Sequence, residues 1–203
     1  MKYILLPIHP EWCCKLMNGD KKTEVRRGTA LYNAINKLTK EQGKAPCLIY
    51  CTMGKPYLVK HCLDGKHHAG NCLGTYDGAS DNEPLNGKVI AEFEASAEII
   101  SLEEQGDDDF GCNPWFYETP TLDQDELVKL SCLDLEGFDE YLDGKDGTAI
   151  HVKQGTMSVF DRPKDLYEFK CPKPLRYSNG KEGKILFPIT RAPQSWCYVE
   201  MEE

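Results

Sequence analysis

The feature that most constrains the fold is a two-residue alternation that begins at Val89 and continues to Ile99. Small or apolar residues occupy every second position of this segment, and glutamates dominate the positions between them. Because successive side chains of a strand point to opposite faces, the pattern predicts one long strand with a buried face and a wetter face. A strand of this length usually bends around a barrel or pairs with two neighbours. The segment therefore indicates a curled sheet.

Shorter segments predict the rest of the architecture. Apolar runs predict strands at residues 3–8, 22–27, 47–52, 149–160, 185–189 and 196–199, with a bulge at Gly155 in the fourth. Helical spacing predicts four amphipathic helices that begin near Pro10, Thr29, Thr121 and Leu135. Asn18-Gly19 is expected to end the first helix, and Thr121 with Gln124 is expected to form a capping box for the third. The core-facing residues predicted are Leu31, Ala34, Ile35 and Leu38 for the second helix and Leu135, Phe138, Tyr141 and Leu142 for the last. Strands with helices between them favour an α+β domain around a mostly antiparallel sheet.

Length and charge restrict the domain count and the kind of partner. The chain has 203 residues, which favours one domain, with expanded loops at about 60–86 and 104–133. Its net charge is −9, from 24 Lys and Arg against 33 Asp and Glu. Proteins that hold duplex DNA by counterion release present a broad basic face, so broad duplex DNA binding is not expected. Any polyanion is expected to bind in a small basic pocket.

Segment lengths and cysteine usage predict the compartment. No apolar run reaches the length of a signal peptide or of a membrane span, so no membrane association is expected. The ten cysteines fall below the density of a disulfide scaffold. We therefore predict a cytoplasmic protein whose thiols are mostly reduced.

The loop at 60–86 contains the soft metal ligands of the chain at spacings that zinc sites use. These ligands are Cys62, His67, His68 and Cys72. The loop has no C-x-x-C pair, and its glycines are typical of a flexible connection. We predict no metal and no other cofactor, with a zinc site at these four residues as the alternative.

A short charged segment follows the first predicted helix. It combines four cations, one carboxylate and one hydroxyl, carried by Lys21, Lys22, Thr23, Glu24, Arg26 and Arg27. On a strand, Glu24 and Arg26 point to one face and Thr23 to the other. Arginine offers a planar fork to phosphate or to a base edge, lysine offers a point charge, and glutamate orients either cation or acts as a base. The same charges are also typical of a solvated strand edge.

The sequence of this segment resembles a known family. Residues Gly19-Asp20-Lys21-Lys22-Thr23-Glu24-Val25-Arg26 match the G-x-K-x-x-E-x-R signature of the ASCH domain family, a relative of the PUA-like RNA-binding barrels. The flanking segments 8–11, 48–52, 87–93 and 159–166 are similar to strands and turns of that family. The segment 191–198 is similar to the ending of a subgroup carried by bacteria and their phages.

The resemblance implies a fold and a binding site. The fold is a PUA-like, curled, mixed but mostly antiparallel β-barrel with peripheral helices, formed by residues 1–203 as a single domain. A cleft beside the signature is expected to take a short single-stranded RNA or a nucleotide-like ligand. The ligand-binding residues expected are Gly19, Lys21, Thr23, Glu24 and Arg26, joined by Trp196 and Tyr198, which share a strand face and are suited to stacking on bases.

Two alternatives to simple binding follow. One ASCH branch hydrolyses N4-acylated cytidine with a Lys, a Thr and a Glu, and another is reported to act as a ribonuclease. Lys21 matches the Lys position of the first branch, whereas the Thr position is occupied by Glu24. A hydrolase would therefore use Lys21 as the polarising or nucleophilic group and Glu24 as its partner. The second alternative is a phage-type accessory protein whose aromatic and acidic loops bind another protein.

Overall fold

The computed structural model describes residues 1–61, 72–76, 83–104, 115–176 and 182–201. Its helices are α1 (Pro10–Asn18), α2 (Ala30–Gln42), α3 (Gln124–Ser131) and α4 (Leu135–Leu142). Its strands are β1 (Lys2–Ile8), β2 (Thr23–Arg27), β3 (Pro46–Cys51), β4 (Tyr57–His61), β5 (Cys72–Tyr76), β6 (Val89–Glu104), β7 (Trp115–Glu118), β8 (Gly147–Val152), β9 (Ser158–Lys164), β10 (Phe169–Arg176), β11 (Glu182–Pro188) and β12 (Cys197–Met201). Each helix of the described part is too short to cross a membrane.

The chain forms two compact units. The first comprises Met1–Asn18, Pro46–Glu94 and Gly155–Glu203, and the second comprises Gly19–Ala45 and Ala95–Gln154. Strand β6 runs from one unit into the other. The assignment of residues 1–203 to a single domain stays a prediction.

The first unit is built on a sheet whose strands follow the order β11-β10-β12-β1-β3-β6, with β9 paired to β6. The pair β1–β3 is parallel and the other pairs are antiparallel. The predicted α+β class and mostly antiparallel sheet are confirmed. Among the described residues β11 pairs with β10 alone and β9 with β6 alone, so no closed barrel is detected there.

Part of the segment expected to be a loop at 60–86 is a strand. Strands β4 and β5 pair in antiparallel register, with Leu58 opposite Thr75 and Val59 opposite Gly74. Leu58 and Val59 are buried, which explains why the hairpin is held to the unit. The glycine in β5 interrupts the apolar alternation, and for that reason the sequence pattern did not reveal this strand.

The second unit has a smaller antiparallel sheet, in which β8 lies between β2 and β6 and β7 pairs with the end of β6. Helices α3 and α4 pack against one face of this sheet. The core between them is fully buried or nearly so and includes Val25, Tyr117, Leu127, Phe138 and Ala149. The rings of Tyr117 and Phe138 meet edge to face at 5.3 Å.

Helix α2 follows its predicted pattern. Its buried residues are the predicted Leu31, Ala34, Ile35 and Leu38. Gly43 follows the helix with φ of 77°, a left-handed conformation that ends helices and that glycine adopts without strain. Local spacing was therefore sufficient to predict this element.

Helix α4 differs from its predicted pattern. Phe138 and Leu142 are fully buried as predicted, but Leu135 is 51 % exposed and Tyr141 is 37 % exposed. The prediction was wrong for these two residues because a helix of 8 residues buries only the narrow stripe formed by positions four apart.

The start of α3 and the course of residues 149–160 also differ from prediction. The N-cap of α3 is Asp123, whose side chain accepts a hydrogen bond from the Glu126 N–H at 2.9 Å, and not Thr121. Residues 149–160 do not form one bulged strand, because β8 ends at Val152 and β9 begins at Ser158. Gly155 lies between them with φ of 74°, so the chain turns there.

Candidate functional site

The charged segment is placed by a turn and two backbone contacts. Gly19 has φ of 82°, which ends the helical path after Asn18. The Lys22 N–H donates to the carbonyl of Leu130 at 2.9 Å, and the Val152 N–H donates to the carbonyl of Lys22 at 3.0 Å. The segment is thereby fixed between α3 and β8 before β2 begins.

Three of the predicted site residues form one cluster. Lys21 Nζ lies 3.4 Å from Glu24 Oε2, and Arg26 Nη2 lies 3.0 Å from Glu24 Oε1. The carboxylate thus bridges two cations. The three side chains are 3 %, 9 % and 13 % exposed, in the order Lys21, Glu24, Arg26. We call these residues the Lys–Glu–Arg cluster.

Lys21 also closes the end of a helix. Its Nζ donates to the carbonyl of Ser131, the last residue of α3, at 2.6 Å. Carbonyls at a helix C-terminus carry partial negative charge, so they favour a cation. Burial lowers the pKa of the Lys21 amine, and the nearby Glu24 carboxylate opposes this shift. Lys21 is therefore held by both a helix end and an acid.

Tyr141 lies in the electric field of the same cluster. Burial raises the pKa of its phenol, the charge of Arg26 lowers it and the charge of Glu24 raises it. The neighbouring Arg27 points to α4 instead, because its guanidinium donates to the carbonyls of Tyr141 and Glu140. The cluster therefore contains one of the two adjacent arginines.

Thr23 belongs to a second polar group, which crosses three strands. Its Oγ1 shares a hydrogen bond of 3.0 Å with His151 Nδ1, and the two residues are register partners in β2 and β8. His151 Nε2 lies 3.9 Å from Glu98 Oε2 on β6. Glu98 Oε1 accepts a hydrogen bond of 2.7 Å from the Thr121 hydroxyl. Thr23 is thereby separated from the Lys–Glu–Arg cluster by the alternation of β2.

The protonation states of this second group follow from burial and hydrogen bonding. Burial lowers the pKa of His151, and the Glu98 charge opposes the shift. Burial by itself would raise the pKa of Glu98, but hydrogen bonds from Thr119 and Thr121 lower it overall. Within the described residues, Glu98 Oε2 and His151 Nε2 are buried and have no hydrogen-bond partner.

Sequence reasoning missed His151, Glu98 and Ser131. Glu98 was recognised only as a polar position of the long alternation, and His151 stands alone between apolar residues of β8. The signal that joins them is strand register, which a single strand does not contain. The helix end at Ser131 was likewise not connected with Lys21.

The predicted stacking residues lie in the first unit. The rings of Trp196 and Tyr198 meet edge to face, with centroids 5.4 Å apart and an interplanar angle of 86°. Both side chains are partly exposed. Within the second unit the structure groups Lys21 with Glu24 and Arg26, and Thr23 with His151. Within the first unit it groups Trp196 with Tyr198.

Several predicted features lie outside the described residues. They include Cys62, His67 and His68 of the zinc alternative and the acidic loop after Glu104 that suggested a protein partner. Cys72 is the first residue of β5, and its side chain is also not among the parts of the chain that the structure describes. In the part of the chain that the structure describes, no three His, Cys, Asp or Glu side chains are placed to hold a metal ion.

A cavity of about 780 Å³ lies in the first unit. Its charged lining consists of four basic and four acidic residues, namely Lys60, Lys88, Arg162, Lys164, Glu83, Asp161, Asp165 and Glu168. Lys88 and Asp165 neutralise each other at 2.6 Å. The cavity therefore offers no net positive charge to an anionic ligand.

Comparison with known proteins finds no relative: no family model, no curated protein and no solved structure matches the chain. The likeness to ASCH domains therefore depends on residues 19–26 and the flanking segments alone.

Proposed function

We propose that the protein binds a short single-stranded RNA or a modified nucleotide at the Lys–Glu–Arg cluster. The observation that carries this proposal is the burial of two cations against one carboxylate, at 3.0 and 3.4 Å, which keeps one net positive charge out of bulk water. A charge in such a place interacts with a ligand more strongly than an exposed charge does. Arg26 is the most exposed member and is the group that would meet a phosphate or a base edge.

The size of the cluster limits the ligand. The chain carries a net charge of −9, so a long polyanion would meet repulsion beyond the cluster. A ligand of nucleotide size avoids this repulsion. The G-x-K-x-x-E-x-R signature at 19–26 supports both this ligand class and the assignment of the fold to the PUA-like barrels.

Fluorescence anisotropy with a labelled single-stranded RNA of about eight nucleotides tests the proposal. Arg26→Gln is expected to weaken binding about tenfold, the effect of losing one charge-assisted contact of about 1.4 kcal/mol. Arg27→Gln is the matched control, because it removes the same charge from the adjacent residue outside the cluster. Equal weakening by both variants, or no binding by the wild type at low salt, would contradict the proposal.

A second candidate function is hydrolysis of an N4-acylated cytidine, and the position of Lys21 favours it. A buried lysine with a lowered pKa has a larger neutral fraction, which is the form that attacks a carbonyl or takes up a proton. Chromatography of N4-acylcytidine incubated with the protein tests this candidate. Lys21→Arg keeps the charge and is expected to lower turnover about a hundredfold or more. Lys22 is adjacent to Lys21 and exposed, so Lys22→Arg is the control and should leave turnover unchanged. Turnover by Lys21→Arg at the wild-type rate would exclude the role of Lys21.

A further inference from the structure

Strand β11 forms an edge of the sheet in the first unit. In the described part of the chain it pairs with β10 alone. Every residue from Lys184 to Pro188 is exposed. Three consecutive residues of this stretch are large and apolar: Ile185 is 39 %, Leu186 is 37 % and Phe187 is 43 % exposed. Proteins generally avoid a long apolar edge strand, because its outward backbone groups pair readily with another strand.

Prolines determine which backbone groups of β11 face outward. Three register pairs between β10 and β11 contain a proline, which has no N–H: Lys170–Pro188, Pro172–Leu186 and Pro174–Lys184. The pairs between them exchange the ladder hydrogen bonds instead, and in the next pair of that series the Ile189 N–H donates to the Phe169 carbonyl at 3.1 Å. Because bonded and non-bonded pairs alternate in an antiparallel ladder, the N–H and C=O groups of Lys184 and Leu186 point away from β10.

The side chains of β11 divide between two faces. Ile185 and Phe187 lie on the face of the core, because Cys171, the register partner of Phe187, packs against the core of the first unit. Leu186 and Lys184 lie on the opposite face. A strand added at this edge would therefore meet outward donors and acceptors, with apolar side chains on both faces.

We propose that β11 pairs with β11 of a second copy of the chain, in antiparallel register about a two-fold axis at Leu186. In this register Leu186 lies opposite Leu186 and Ile185 lies opposite Phe187, so every exposed apolar side chain of the strand meets another one. The Leu186 N–H of each copy donates to the Leu186 carbonyl of the other. The Lys184 N–H of each copy donates to the Pro188 carbonyl of the other, a bond that requires no N–H from the proline.

Other registers of the same strand pair are less favourable. An axis at Lys184 would place two lysines directly opposite each other, and like charges in that position destabilise a sheet. An axis at Ile185 would place Lys184 opposite Leu186 and Phe187 opposite Gly183, so two of the apolar side chains would lose their apolar partners. The strand is therefore complementary to itself in one register, and this property favours a second copy as the occupant.

The expected interface is small and closed. Three partly exposed side chains from each copy bury less than the about 1,000 Å² of a stable interface, so we expect weak, reversible association. A two-fold axis uses the β11 edge of both copies, so assembly stops at the dimer. The contacts are apolar side chains and backbone hydrogen bonds, so about 500 mM salt should not weaken them. The inference does not depend on the Lys–Glu–Arg cluster, which belongs to the second unit.

Sedimentation velocity of the full chain from about 5 to about 500 µM tests the proposal. The wild type is expected to shift from monomer to dimer as the concentration rises. Leu186→Lys should weaken the dimer about tenfold or more, since two like charges would lie at the axis. Leu186→Pro should weaken it to a similar extent, because it removes an outward N–H that the pairing with β10 does not use. Thermal denaturation checks that both variants are folded.

Leu135→Lys is the matched control. Leu135 is 51 % exposed on α4 in the second unit, so this variant makes the same change on a surface outside β11. It should leave the dimerisation constant within about twofold. The inference is overturned if the wild type stays monomeric over the whole range, if Leu135→Lys weakens the dimer as much as Leu186→Lys, if folded Leu186→Pro dimerises like the wild type, or if assembly continues beyond two copies.

Discussion

At the scale of single residues, the cluster depends on Glu24. Each oxygen of its carboxylate faces a different cation, Lys21 on one side and Arg26 on the other. Without this charge, two buried cations would remain with too little compensation, and a buried charge without its partner is strongly destabilising. We therefore expect Glu24 to contribute to the stability of the fold as well as to the proposed site.

We expect Glu24→Gln to lower the free energy of unfolding by about 3 kcal/mol, because it removes the shared counter-ion of a buried pair. Urea denaturation at pH 7 measures this change. Glu11→Gln, which breaks an exposed pair with Lys15, should cost less than about 1 kcal/mol. A similar small loss in both variants would show that the buried pair contributes little.

His151 predicts how stability depends on pH. Burial holds its pKa in the folded protein below the ordinary value of 6.5, so the unfolded chain takes up this proton first as the pH falls. The stability contributed by neutral His151 is present above pH 6.5 and is lost as the pH falls through its folded pKa. The lowered pKa of Glu98 acts in the same direction below its ordinary value of 4.5.

As the pH is lowered from 8 to 5, the free energy of unfolding measured by urea denaturation is expected to fall more for the wild type than for His151→Gln. This range lies above the ordinary pKa of Glu98, so the histidine dominates the difference. A difference between the two proteins that stays constant over the range would contradict the assignment.

At the scale of elements, β2 separates two polar groups by its alternation. Glu24 and Arg26 point to one face, while Thr23 points to the other and reaches His151. Helix α3 is the second element on which the site depends, because its last carbonyl holds Lys21. The position of the Lys21 charge in the cluster thus depends on the folding of α3, a helix of 8 residues.

The N-cap of α3 tests this dependence. Asp123→Ala is expected to cost about 1 kcal/mol of stability, because the Glu126 N–H loses its acceptor. Asp125→Ala, in the first turn but not at the cap, should cost only about 0.3–0.5 kcal/mol. Thermal denaturation of both variants measures the difference, and equal costs would contradict the capping role of Asp123.

At the scale of the whole molecule, each unit has its own sheet and its own core. The Lys–Glu–Arg cluster is small and positive in a chain whose net charge is −9. Few phosphates can therefore be neutralised at once, and the number neutralised determines how steeply binding falls with salt.

Accordingly, the slope of log K against log salt for single-stranded RNA should lie between about −1 and −3. Anisotropy titrations from about 50 to about 500 mM salt measure it. Duplex DNA is the control and should bind only weakly. A slope near −10 would require a broad basic surface and would contradict this view of the molecule.

The elements of the fold were largely predictable because their signals are local. The alternation from Val89, the apolar spacing of α2 and the turn at Gly19 depend on residues within a few positions of each other. The short helix α4 was predicted less well, since two turns bury fewer residues than the sequence pattern suggests. Strand β5 was missed because Gly74 interrupts its alternation.

The charged segment at 21–26 and its two faces were determined by the sequence itself, because strand alternation follows from backbone geometry. Only the tertiary structure decided what those faces meet. Lys21 reaches Ser131, 110 positions later, and Thr23 reaches His151, 128 positions later. Such contacts depend on strand register and helix packing, which one segment does not encode. For the same reason, the sequence was sufficient to locate Lys21 and Arg26 in the charged segment, but only the packing of the chain shows that both are buried against Glu24.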